Sequence, residues 1–133
     1  MPSQIPVYQA IAESLSDHGV KTMFGLMGDA NLFMADHYIR EHGGHFVPVA
    51  HEGSCVLAAM GYAHISGSVG VATVTHGPAL TNCITALVEG SRARMPVVLL
   101  AGDTPEQKPE HMQNIDQREL IKATGAGFEQ LRR

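Results

Sequence analysis

No run of basic residues occurs in this sequence, and its 9 lysines and arginines are outnumbered by 13 aspartates and glutamates, giving a formal charge of -4. That balance argues against dedicated nucleic-acid binding, and small molecules or other protein chains are the expected partners. Cysteine is scarce. Cys55 and Cys83 lie in apolar, helix-like stretches rather than in a CxxC pair or a loop framework, so reduced structural thiols and a cytoplasmic setting are expected. Long apolar runs are also missing: none approaches the roughly 18 residues of a membrane span. The opening MPSQIPVYQAIAESL has neither the charged start nor the long apolar stretch of a secretory signal. What is present is a chain of 133 residues, 44% hydrophobic and 17% charged, which suits one soluble globular domain over 1–133 with a substantial core.

Periodicity divides the chain into alternating elements. Val7, Ala10, Ile11 and Leu15 mark one face of a helix from Val7 to His18, with Gly19 as its stop. VKTMFGL reads as a buried strand, and Gly28-Asp29-Ala30-Asn31 turns into a helix through Leu32, Phe33, Ala35, Asp36 and Ile39 that ends at Gly43-Gly44. HFVPV is a second strand, Ser54 to His64 an alanine-rich helix, VGVATVT a third strand and PVVLLAG a fourth, with one helix from Pro78 or Ala79 to Arg94 between the last two. The stretch after Asp103 is polar and loop-like, with a short helix at Gln117 to Ile121, and KATGAGFEQLRR could begin another strand. Strands that are apolar on both faces and alternate with helices indicate an α/β fold: a doubly wound, mostly parallel sheet with helices on both faces. In such sheets the chemistry gathers outside the carboxyl ends of the strands.

Those ends carry Met27-Gly28-Asp29, His51-Glu52-Gly53, His76-Gly77-Pro78 and Gly102-Asp103-Thr104. Glu52 is the most informative, because it stands where an apolar strand runs into an apolar helix. Two readings apply: a first-turn carboxylate favoured by the helix dipole, or a ligand-facing acid. VTHGPALTN, residues 74–82, makes a tight exit from a strand, but it has neither the GxGxxG pattern nor the lysine of a P-loop, so it is a weak phosphate site. His37, His42 and His45 straddle a helix end and a Gly-Gly turn and read as solvent-facing rather than as a metal site. His51, Glu52 and His76 could converge as a two-histidine, one-carboxylate triad of a small metal-dependent hydrolase. Asp29 and Asp103 read as turn and cap residues.

Taken in order, GLMGDAN, then VAHEGSCVLAAMGYAHISGSVGVATVTHGPALTNCITALVEGSRARMPVVLLAGDTP, then HMQNID resembles the pyrimidine-binding (Pyr) domain of thiamine diphosphate enzymes of the acetolactate synthase and 2-oxo acid decarboxylase group. The resemblance runs from about Val7 to Thr124 and rests on the order of several motifs, no one of which would suffice. It implies that Glu52 hydrogen-bonds a ring nitrogen of the coenzyme's aminopyrimidine and favours the tautomer that removes the thiazolium proton. An acid held in an apolar site can share its proton with a weakly basic ring in this way. By the same resemblance Gly77, Pro78 and Ala79 lie beside the pyrimidine, Asn82 is the motif's asparagine with a structural role, Gly28 belongs to a loop near the entrance, and Gln113 faces the active site. His76 and Ala79 depart from the family's serine and glycine. His76 would stand near the reacting centre, as a proton relay or as a hydrogen-bonded strand-end histidine; His111 shares the loop of Gln113.

The family's diphosphate and Mg2+ are held by a second, diphosphate-binding (PP) domain with a GDG motif and a following asparagine, and neither occurs here. The resemblance therefore implies that this chain offers no metal ligands. It implies half of a thiamine diphosphate site, completed by the PP domain of another subunit in a homodimer or homotetramer that decarboxylates or ligates a 2-oxo acid. It also implies a Pyr domain short at its C-terminus, either a fragment of a longer enzyme or one subunit of a split decarboxylase. The rival expectation is a non-catalytic binding or assembly module with the same fold.

Overall fold

The computed structural model describes residues 4–131. Helix α1 (Val7–Asp17) leads to strand β1 (Thr22–Gly25), α2 (Leu32–His42) to β2 (His45–Pro48), and α3 (Glu52–Ser66) to β3 (Gly70–Val74). Two helices, α4 (Pro78–Thr81) and α5 (Ile84–Arg92), precede β4 (Val97–Ala101), and α6 (Gln117–Lys122) follows a long loop. The strands form one sheet in the order β2-β1-β3-β4, with every pairing parallel.

Strands β1, β3 and β4 each contribute to two cores because the sheet is covered on both faces. Met23, Val71 and Leu100 pack with Ala12, Met34, Ala35 and Tyr38 of α1 and α2. Ala72, Val74, Val97 and Leu99 pack with Cys55, Val56 and Ala59 of α3, Ala86 of α5, and Cys83. Central β3 is buried at all five residues, which is why VGVATV is an uninterrupted apolar run. Burying a side chain such as Val71 or Val74 contributes about 1.5–3 kcal/mol. The alanines of α3 let it lie against β3 so closely that a Cβ at Gly70 would overlap the carbonyl of Ala59. Both cysteines are free and buried. The hydrogen bond from Cys83 lowers the Cys55 thiol's tendency to hold its proton, and the same contact, with burial, pushes the Cys83 thiol well up.

The structure bears out the α/β doubly wound architecture and corrects several boundaries. The helix expected from Ser54 starts at Glu52, because His51 takes the N-cap position and its Nδ1 accepts from Gly53 N–H at 3.1 Å. The single helix expected from Pro78 to Arg94 is two helices. At Cys83 the backbone bond tightens to the Leu80 carbonyl, and α5 restarts with Leu87 N–H bonded to Cys83 O. The strand that KATGAGFEQLRR could begin does not form among the described residues, and the last two residues of that segment lie outside them. No helix among the described residues is long and apolar enough to cross a membrane.

The chain runs from β1 outward to β2 and then returns to place β3 on the other side of β1. The winding thus reverses between β1 and β3, and sheets of this kind hold ligands outside the carboxyl ends of the strands at such a reversal.

Candidate active site at the carboxyl edge of the sheet

Glu52 is the first residue of α3, in the turn where a negative charge faces the positive end of the helix dipole. The residue is partly buried, and its Oε2 accepts from Asn82 Nδ2 at 2.9 Å in a solvent-exposed bond, the only hydrogen bond to that carboxylate among the described residues. The break between α4 and α5 is what delivers Asn82: its side chain reaches Glu52 while the next residue, Cys83, turns into the core. The same two segments also touch through their backbones, since a Cβ at Gly53 would come within 2.9 Å of the Asn82 carbonyl oxygen. Cys55 Sγ donates to the Glu52 carbonyl at 2.8 Å and pins the turn from below. The asparagine read as structural thus acts directly on the acid, leaving Oε1 of Glu52 open.

The turn after β1 is tied to the end of β3. Gly28 N–H donates to Asn31 Oδ1 at 2.7 Å, and Asn31 Nδ2 reaches Leu26 O and Thr73 Oγ1, each at 3.2 Å. Gly28 lies against Thr75, where a Cβ would approach the threonine's Cβ to 2.7 Å. Thr75 donates its hydroxyl proton to Asp29 Oδ1 at 3.0 Å and accepts from Ala30 N–H at 3.3 Å. That hydroxyl, together with the adjacent His76, holds the Asp29 carboxyl below its usual value of 3.8. Asp29 is therefore more than the turn residue the sequence suggested. His76 is 3% exposed, with Nε2 at 3.6 Å from Asp29 Oδ1 and Nδ1 buried without a partner. It is a strand-end histidine whose hydrogen bonding is incomplete.

Gly77 follows with φ 58, and a Cβ there would overlap the carbonyl oxygen of Gln113. Glycine is required at this turn on both counts. Pro78 is exposed, whereas Ala79 contributes its side chain to the core beneath α3. The loop that carries Gln113 is held over the turn by Gln117, which accepts from Gly77 N–H at 3.3 Å and donates to Gly102 O at 3.0 Å. Gln113 itself donates its N–H to His111 Nδ1 at 3.2 Å, and the His76 and His111 rings meet edge to face with centroids 5.3 Å apart. The metal triad of His51, Glu52 and His76 is not assembled. The three groups are bonded to Gly53, to Asn82 and toward Asp29, and the described residues contain no cluster of three or more His, Cys, Asp or Glu side chains suited to a metal.

Residues 5–120 match the family model of the N-terminal TPP binding domain of thiamine pyrophosphate enzymes. The chain belongs to this family. Its relatives in the thiamine pyrophosphate group include a 2-hydroxyacyl-CoA lyase 2 from Danio rerio, 39% identical over 118 residues, which is 86% of this chain and 18% of that protein. They also include an acetolactate synthase from Mycobacterium avium, 39% identical over 101 residues, 76% of this chain and 16% of that protein. The human 2-hydroxyacyl-CoA lyase 2 is 38% identical over 116 residues. The chain spans less than a fifth of the length of these curated relatives.

The residues in place suit the pyrimidine end of that cofactor. Glu52 offers a carboxylate oriented by Asn82 with one oxygen open, Gly77 a backbone turn that tolerates no side chain, and His76 an unpartnered buried nitrogen.

Proposed function

We propose that this chain supplies the pyrimidine half of the thiamine diphosphate site in an acetolactate-synthase-like decarboxylase or carboligase that acts on a 2-oxo acid. The observation that carries the reading is the Asn82–Glu52 hydrogen bond of 2.9 Å at the N-terminus of α3. It fixes the acid while leaving its second oxygen for a ring nitrogen. When bound, thiamine diphosphate supplies the electron sink that decarboxylation of a 2-oxo acid needs. Glu52 would hold a proton at its open oxygen and share it with the ring. Gly77 and Pro78 would line the ring's edge, Gly28 would keep the entrance loop close to Thr75, and Gln113 would approach from the loop above. Diphosphate and Mg2+ would be held by a PP domain elsewhere, contributed by another subunit of a homodimer or homotetramer in the cytoplasm. By itself the chain would be inactive.

Glu52→Gln in the complete enzyme tests this. The amide keeps the size of the side chain and can still accept from Asn82, so thermal stability should be unchanged while coenzyme activation slows by about 100-fold or more. Wild-type turnover in that variant would refute the reading.

A second reading is favoured by His76 and Ala79, which stand where the resemblance leads one to expect serine and glycine. On this reading the chain is a Pyr-fold assembly module, or the separate Pyr subunit of a split decarboxylase. Tight association with a partner protein, with no thiamine diphosphate bound to the complex, would establish the assembly module. Coenzyme binding that appears only after a separate diphosphate-binding chain is added would establish the split enzyme.

A further inference from the structure

His76 is the anomaly of the site. A buried imidazole ordinarily has both nitrogens engaged, and an unsatisfied one needs a reason in the chemistry of its surroundings. Here Nδ1 has no partner, and Nε2 lies 3.6 Å from Asp29 Oδ1. That separation is too long for a hydrogen bond and short enough for the carboxylate's charge to favour a proton on the facing nitrogen. Asp29 is not free to swing away, because Thr75, the residue preceding His76, donates to it at 3.0 Å. Thr75 is itself held by Ala30 N–H at 3.3 Å. The other side of His76 faces His111, whose Nδ1 accepts from Gln113 N–H at 3.2 Å and so carries no proton, which leaves its own proton on Nε2. Helix α4 brings no ionisable side chain, and α6 presents Gln117, which is neutral and engaged with Gly77 and Gly102. Asp29 and His111 are the titratable groups seen against His76 among the described residues.

We propose that Asp29 is the positioning residue of a proton-transfer unit, orienting His76 so that Nδ1 exchanges a proton with the bound ligand. The identity of the ligand rests on the coenzyme reading above; the arrangement rests on geometry alone. In the forward direction a proton on Nδ1 passes to a ligand oxygen or nitrogen. His76 is left neutral, with its remaining proton on Nε2 toward Asp29. Solvent returns a proton to Nδ1 once the ligand has left, so the unit regains its starting state with no net change.

Nitrogen-15 NMR of the histidine side chains in the protein, at an alkaline pH where imidazoles are neutral, reads the tautomer directly. His76→Gln identifies the His76 signals by their loss. In the wild type the Nε2–H form should dominate, and Asp29→Asn should bring the two tautomers toward comparable populations. Should that variant fail to fold, Thr75→Val loosens Asp29 without removing its charge and should move the same signals in the same direction by less. In the complete enzyme Asp29→Asn should lower kcat about tenfold or more with KM within about twofold. An unchanged His76 tautomer in Asp29→Asn overturns the positioning role. A shifted tautomer with wild-type kcat overturns the proton-transfer role. The tautomer measurement needs no coenzyme, so it fails or succeeds separately from the coenzyme reading, which Glu52→Gln addresses.

Discussion

The two edges of the sheet are built from different kinds of interaction. At the amino edge the connections are local: Gly43 caps α2 with φ 64, Gly67 caps α3 with φ 69, and a Cβ at either would meet nothing within 4 Å. The longer ties there are the Tyr38 hydroxyl, which donates to Val20 O at 2.9 Å, and backbone bonds from His45 N–H to Lys21 O and from Gly70 N–H to Pro96 O. At the carboxyl edge, side chains reach across the sequence. Asn82 bonds Glu52 30 residues away, Gln117 bonds Gly77 40 away, and Thr75 bonds Asp29 46 away. The first edge needs only to reverse the chain. The second holds polar groups in fixed positions by hydrogen bonds between distant segments, and that is the arrangement a preorganised site requires.

Glycine substitutions should expose this contrast most strongly. Gly77→Ala meets two penalties, a left-handed backbone at φ 58 and overlap with the Gln113 carbonyl, which is main chain and cannot rotate aside. A loss of about 3–4 kcal/mol is expected in urea unfolding. Gly67→Ala meets only the backbone penalty, with open space around its Cβ, and should lose about 1–2 kcal/mol. Equal losses at the two sites would mean that the loop over Gly77 yields easily, and the claim of a rigid carboxyl edge would fail.

Asn82→Ala comes next and separates function from stability. The hydrogen bond it removes is exposed to solvent, so unfolding should shift by about 1 kcal/mol or less. Glu52 would lose its orienting donor, and turnover in the complete enzyme should fall about tenfold, since a misdirected acid is displaced without being removed. A stability loss with unchanged turnover would make Asn82 the purely structural residue that its motif suggested.

How much of this was legible in the sequence follows the same division. The parallel sheet could be read because β3 is buried on both faces and its residues show it. Glu52 could be read because the junction of strand and helix is local and the HEG motif is specific. The break at Asn82-Cys83 was hidden, since the apolar spacing continues through it and the tightening to the Leu80 carbonyl leaves no compositional mark. The start of α3 was placed two residues late because a histidine nitrogen serves as the cap. Asp29 looked like a turn residue because its partners depend on strand order: Thr75 and His76 become neighbours of the β1 turn only when β3 lies beside β1. Gln117 carried no signal at all, being one glutamine in a polar stretch.

The smallest expected effect concerns acid stability and tests whether the crossing from Thr75 to Asp29 exists in solution. The Thr75 hydroxyl holds the folded-state Asp29 carboxyl below 3.8, its ordinary value. A carboxyl depressed in the folded state adds stability above its unfolded value and loses that contribution as pH falls through the folded one. Thr75→Val removes the donor and brings the folded value back toward the ordinary one. The variant should therefore be slightly less stable than the wild type at neutral pH, and the gap should narrow as acid protonates Asp29 in both proteins. Asp29 is largely exposed, so water screens the interaction and the gap is small. Urea midpoints measured from neutral pH down into the acid range would show it. A gap that stays constant with pH would assign the loss to packing of the Thr75 side chain and leave Asp29 unsupported from β3, removing the main structural basis for its hold on His76.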